Sequence, residues 1–121
     1  VYTDELLCPN QLTKEKSASL LQTMIWSMDA QENWKRPGIE KASHEVSEKF
    51  DIHHKKMIIP LLYGAITGKR HGLPLFDSVE ILGKDRVRAR LLNAIQYLGG
   101  LSKKKSDLLR KAWYTKDYRS L

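Results

Sequence analysis

A chain of 121 residues makes one ordinary domain with its own core, and a composition of 41% hydrophobic and 29% charged residues excludes a disordered segment. The net charge of +7 is unevenly placed: residues 1–50 carry six Lys/Arg against eight Asp/Glu, and residues 51–121 carry fifteen against six. A half at −2 beside a half at +9 marks a polyanion binder with an oriented face, or equally a soluble domain with a basic surface.

Apolar positions recur at helical spacing nearly throughout, and no stretch alternates as a strand does. Residues 1–11 read as a lead-in, with room for a short turn at Asp4–Leu7. Thr13 can cap a helix whose Leu21, Met24, Ile25 and Met28 share one face. The pattern breaks over residues 29–36. Pro37 then suits the first turn of a second helix, where a missing N–H costs nothing. Ile39, Ala42, Val46 and Phe50 form its buried stripe, and His44, Ser47 and Lys49 are expected to face away.

Residues 53–66 are the most apolar stretch, and their length favours a buried helix, with Pro60 either kinking it or standing in its first turn. A Gly- and Pro-punctuated loop runs from Thr67 to Pro74. Pro74 opens a short helix carrying Leu75, Phe76, Val79 and Leu82, closed by Gly83. The next helix turns Val87, Leu91, Ile95 and Leu98 inward and Arg86, Arg88 and Arg90 outward, ending at Gly99-Gly100. Ser102 caps a last helix holding Leu108, Leu109, Ala112 and Trp113. The expected fold is all-α, a bundle of five or six helices, with residues 1–100 as the domain and residues 101–121 as a basic helical extension.

Cys8 is the only cysteine, so an internal disulfide or a cysteine-rich zinc site has no ligands, which fits a cytoplasmic setting. No apolar run reaches the roughly 18–20 residues that span a bilayer. The opening residues lack the pattern of a secretory signal, and a start at Val1 suggests a piece excised from a longer protein. No metal site is expected, because His53 and His54 are adjacent and His44 and His71 have no partner one helical turn away. No phosphate-cradling loop, nucleophile elbow or paired carboxylates supply a catalytic set.

The loop is the most informative stretch. It sets Lys69, Arg70 and His71 between Gly68 and Gly72. Glycines let backbone approach a ligand, cations contact phosphates or base edges, and single-stranded RNA is read by such surfaces. The same residues would also serve as a plain helix–helix connection. Arg86 and Arg90 share a helical face and could grip a backbone, whereas Arg88 points elsewhere. Lys103, Lys104 and Lys105 stand at a helix start, where the macrodipole disfavours cations, and so hint at an anionic partner. Trp113, Tyr114 and Tyr118 lie among Lys111, Lys116 and Arg119, either to stack bases or to pin the last helix to the bundle. Trp26 and Trp34 read as packing residues.

Three ordered blocks resemble the end of bacterial-type glutamyl-tRNA synthetases: Ala65-Ile66-Thr67-Gly68-Lys69, Leu75-Phe76-Asp77 and Leu82-Gly83-Lys84-Asp85-Arg86. The likeness is strong over residues 57–98 and loose over residues 34–56. It implies a cage-like α-helical anticodon-binding domain whose loop reads glutamate tRNA, with glutamine tRNA as an open second substrate. By position, Thr67, Gly68, Gly72, Leu73 and Leu75 resemble the family's anticodon-contacting residues. Lys69, Arg70, His71, Lys84, Arg86 and Arg90 are further candidate tRNA contacts from charge.

Tyr63 stands where the family often has Arg, and it could stack on a base where Arg would hydrogen-bond. Pro60 lies one residue early against the family pattern, and the basic tail from Leu101 runs beyond where many relatives stop. The family's ATP-binding signatures are not in this sequence, so the resemblance assigns ATP and Mg²⁺ to a catalytic domain elsewhere. It leaves this chain inert alone, without a cofactor and as a monomer. A stand-alone helical DNA-binding regulator and a protein-interaction bundle with an acidic partner are the alternatives.

Overall fold

The computed structural model describes residues 2–121 and contains no strand among them. Seven α-helices follow in order: α1 (Asp4–Leu7), α2 (Lys14–Asp29), α3 (Arg36–Lys49), α4 (Ile59–Thr67), α5 (Leu75–Leu82), α6 (Lys84–Tyr97) and α7 (Lys103–Thr115). The all-α expectation holds, and the count exceeds five or six because the lead-in folds as a helix of its own. Thr3 caps that helix by accepting from the Leu6 N–H, and Leu7 is fully buried. A 3-10 turn, Pro9–Gln11, leads on to α2.

Helix α2 is the centre of the bundle, packing chiefly on α3 and α6 and also on α1 and α7. A helix wrapped on several sides needs short side chains wherever a neighbour comes close. Ser17, Ala18, Ser19, Thr23 and Ser27 are all buried, alongside Leu20, Leu21, Met24, Ile25 and Met28. The Ser19 and Thr23 hydroxyls donate to the carbonyls of Glu15 and Ser19, whereas those of Ser17 and Ser27 have no partner among the described residues. Thr13 accepts from the Lys16 N–H at 3.0 Å, as its position in the sequence predicts.

Helix α3 starts without a side-chain cap of its own, with Pro37 in its first turn. Its open end is met from α5: the Arg36 N–H donates to the Glu80 carboxylate at 2.8 Å, and the Arg36 guanidinium reaches Asp77 at 2.9 Å. Just before it, Trp34 donates its indole N–H to the Val79 carbonyl, which fixes Trp34 as a packing residue. Ser47 corrects the sequence reading. It is buried, because its hydroxyl is satisfied by the His44 carbonyl at 2.7 Å and needs no water.

The apolar stretch over residues 53–66 is helical, and Pro60 lies in the first turn of α4 directly after a π-helical turn, His54–Ile58. There the Ile59 N–H reaches back five residues to the His54 carbonyl, which loosens the backbone just before the proline ring. His54 stacks on His44 at 3.7 Å between ring centres and shares a 2.8 Å hydrogen bond with Ser43. Burial, and then repulsion from His44, push the His54 pKa below its ordinary value.

Gly83 separates α5 from α6 at φ 94°, ψ 153°, a backbone conformation essentially confined to glycine. Helix α7 carries the correction at Leu108, which is exposed, while Leu109 and Ala112 seat the helix. Lys105 accounts for part of the basic start of α7, since it meets Glu15 of α2 at 3.3 Å. Trp113 packs on Trp26 and Tyr118 on Phe50, so these two aromatics pin the last helix, whereas Tyr114 stays exposed.

Candidate nucleic-acid interface

Helix α4 ends where the loop begins, and three contacts set the loop's shape. Gly68 closes the helix at φ 76°, its N–H donating to the Gly64 carbonyl at 3.1 Å; this left-handed cap suits glycine. Thr67 Oγ1 donates to the Tyr63 carbonyl at 2.6 Å and accepts from the Lys69 N–H at 3.1 Å. Tyr63 Oη donates to the Leu73 carbonyl at 2.6 Å, bracing the far end of the loop against the helix that precedes it.

The braced loop encloses a cavity of about 210 Å³ lined by Tyr63, Thr67, Lys69, His71, Gly72 and Leu73. Lys69, His71 and Gly72 are exposed, and Leu73 is 78% exposed, an apolar side chain held out to solvent by its own hydrogen-bonded backbone. Six of the twelve predicted contact residues therefore meet around one concave surface. The surface has an aromatic wall, an ammonium, an imidazole, an apolar knob and open backbone. Such a set can take an unstacked base against a ring or apolar face while a cation meets its phosphate.

The remaining predicted contacts are placed differently. Leu75 is a correction: it is only 5% exposed, in the core on α5, and presents nothing to a ligand. Arg70 turns back to α1, donating to the Glu5 carbonyl at 3.0 Å with the Glu5 carboxylate 3.6 Å away. Arg90 donates to the Ile66 carbonyl at 2.8 Å, tying α6 to the last turn of α4. Lys84 meets Asp29 at 3.8 Å and Arg88 meets the same carboxylate at 3.2 Å, clasping α6 to the end of α2. Arg86 is exposed and makes no ion pair among the described residues. Arg70 and Arg90 are thus supports of the loop, and Lys84 a support of the bundle.

Tyr2 is a loop support that the sequence reading missed. Its hydroxyl lies 2.6 Å from the Ala65 carbonyl and 3.1 Å from that of Arg90, strapping the N-terminal segment over α4 and α6. Burial raises its pKa, which keeps the phenol a donor. Nothing in the local sequence signals this contact, whose acceptors lie 63 and 88 residues away.

A model of the anticodon binding domain family matches residues 1–95, taking in every element from α1 into α6 and the whole loop. The chain belongs to this family. Glutamate–tRNA ligase of Protochlamydia amoebophila (strain UWE25) is 47% identical to this anticodon-binding domain over 120 residues, 99% of the chain and 24% of the relative. The ligase of Chlamydia felis is 44% identical over 119 residues, 98% of the chain and 24% of the relative. That of Chlamydia trachomatis serovar L2 is 45% identical over 111 residues, 92% of the chain and 22% of the relative.

The chain spans about a quarter of the length of the curated relatives it matches. The likeness carried by the three sequence blocks is borne out. Alignment over 98–99% of the chain also takes in α7, so the basic tail is shared with these relatives rather than being an addition to them.

Proposed function

We propose that this domain reads the anticodon of glutamate tRNA as part of a glutamate–tRNA ligase, holding the tRNA while glutamate is attached elsewhere in that protein. ATP, Mg²⁺ and the ligation chemistry belong to the remainder of such an enzyme, and its setting is the cytoplasm. The observation that carries the reading is the braced loop. Residues quoted for the family likeness, Thr67, Gly68, Gly72 and Leu73, lie in the segment that builds the concave surface with Lys69 and His71.

Within this reading Tyr63 has two parts to play. Its hydroxyl holds the Leu73 backbone in place, and its ring is the aromatic wall on which a base can stack. Lys69 supplies the phosphate contact, Leu73 packs on a base face, and the backbone at Gly72 lies open to a close approach. Arg86 adds a second cation from α6.

Replacing Lys69 by Ala is expected to weaken binding of a glutamate-tRNA anticodon stem-loop by about five-fold or more, with little change in melting temperature. Binding equal to that of the unsubstituted chain would refute the loop assignment. Gly72→Ala separates ligand approach from folding. A Cβ at Gly72 meets nothing within 4 Å, so the melting temperature should stay within about 2 °C. A loss of stem-loop affinity in that variant is the expected result, and it locates the RNA against the Gly72 backbone.

A further inference from the structure

A second basic surface lies away from the loop, where α2, the end of α3 and the end of α7 meet in a cleft of about 540 Å³. Lys16, Lys49 and Lys116 converge there over a shared set of aromatic rings. Lys16 Nζ is 5.3 Å from the centre of Phe50, Lys49 Nζ is 4.7 Å from Trp113 and 6.0 Å from Tyr118, and Lys116 Nζ is 4.1 Å from Trp113. None of the three makes an ion pair among the described residues, although the domain forms such pairs at Lys14, Lys84 and Lys105.

The acids at the cleft do not balance these cations. Asp117 is held bidentately by Arg119 at 2.9 and 2.8 Å, which keeps its carboxyl well below the usual carboxylate range and occupies its charge. Asp51 lines the cleft as well, and Glu45 stands near enough to Lys49 to favour its charged form. Burial first, and then the neighbouring Lys116, outweigh Glu45 and lower the Lys49 pKa.

The backbone adds to this. Lys116 ends α7 in the left-handed region at φ 62°, and Asp51 does the same after α3 at φ 51°, so two non-glycine residues hold an uncommon conformation at this cleft. Tyr118 Oη is shielded and has no hydrogen-bond partner among the described residues.

We propose that this lysine–aromatic cleft is a second RNA contact, binding the phosphodiester backbone of the tRNA independently of the anticodon bases. A phosphate there would bridge the three ammonium groups while a ribose or base edge lies on the Tyr118 and Phe50 rings. The inference rests on the reading of the domain as a tRNA binder and extends it from the anticodon loop to the sequence-independent part of the contact.

Its test is the salt dependence of tRNA-transcript binding by the 121-residue chain and its Lys49→Gln/Lys116→Gln variant, with Leu73→Ala as the comparison. Removing two of the three ammonium groups from that phosphate should reduce the slope of log affinity against log salt by about 1, and it should weaken glutamate and non-cognate transcripts alike. Leu73→Ala, which removes the side chain placed on a base face, should narrow the difference between transcripts. The Trp113 indole resonance should shift on adding RNA, in the Leu73→Ala variant as well. An unchanged slope together with an unmoved Trp113 signal, in a chain that binds the transcript, overturns the cleft and leaves the anticodon reading standing. A chain that binds no transcript overturns both.

Discussion

Leu75→Ala is expected to lower the stability of the domain by about 2–5 kcal/mol, a fall of roughly 8–20 °C in melting temperature. The residue begins α5 and is 5% exposed, within the core to which Phe76 and Val79 also belong. Removing three carbons there forfeits their transfer free energy and leaves a cavity, because α5 cannot collapse freely. Its other face is fixed to α3 through Arg36, Asp77 and Glu80 and to Trp34 through the Val79 carbonyl. Sequence likeness places Leu75 among base contacts, and burial assigns it to packing. The two roles separate by measurement. A packing residue costs melting temperature while the fraction still folded at low temperature binds RNA with unchanged affinity. A contact residue would do the reverse.

Gly64→Ala should destabilise by about 1–2 kcal/mol even though alanine is the better helix former. A Cβ at Gly64 would stand 2.9 Å from the Leu6 carbonyl oxygen and 3.0 Å from Leu6 Cγ. The Leu6 side chain can rotate away, but its carbonyl moves only with α1. That helix is held by buried Leu7, by Tyr97 donating to Asp4 at 3.0 Å and by Arg70 donating to the Glu5 carbonyl. The clash therefore exceeds the helix-propensity gain of about 1 kcal/mol. Because Arg70 joins α1 to the loop, displacement of α1 should also loosen the loop. The expected signature is a melting temperature lower by about 4–8 °C with faster hydrogen exchange at the Lys69 and Arg70 amides. A melting temperature at or above that of the unsubstituted chain would show that α1 yields easily.

The legible parts of the fold were those written in short-range chemistry. Thr13 and Ser102 cap their helices because a hydroxyl three residues before a free N–H is a local arrangement. Pro37 and Gly83 mark helix boundaries for backbone reasons that need no neighbour. The stripes Leu21, Met24, Ile25 and Met28 on α2 and Val87, Leu91 and Ile95 on α6, continued by Leu98 at its C-cap, are buried because period fixes a face.

Where burial and polarity disagreed, the sequence misled. Ser47 faces inward because its hydroxyl is satisfied within its own helix, and Leu108 faces outward although it is apolar. The candidate site divides along the same line. Residues of the last turns of α4 and the loop after it, from Tyr63 through Leu73, come together as their proximity in sequence suggests. Arg70 and Arg90 look like ligand contacts from charge and are tied instead to carbonyls 65 and 24 residues away. Lys84, an element of a family block, clasps Asp29 on α2. Partners so distant in the chain leave no period or spacing to read.

The most direct test of the central claim is the affinity of the unsubstituted domain for anticodon stem-loops at fixed salt, with the glutamate anticodon against variants changed at one anticodon base at a time and against duplex DNA of equal length. The braced loop predicts tightest binding to the glutamate stem-loop, with a loss of about 1–3 kcal/mol, roughly five- to 150-fold, for a change at a base that the loop reads. Equal affinity for every stem-loop and for duplex DNA would leave a basic surface without an anticodon reader, and would contradict the account.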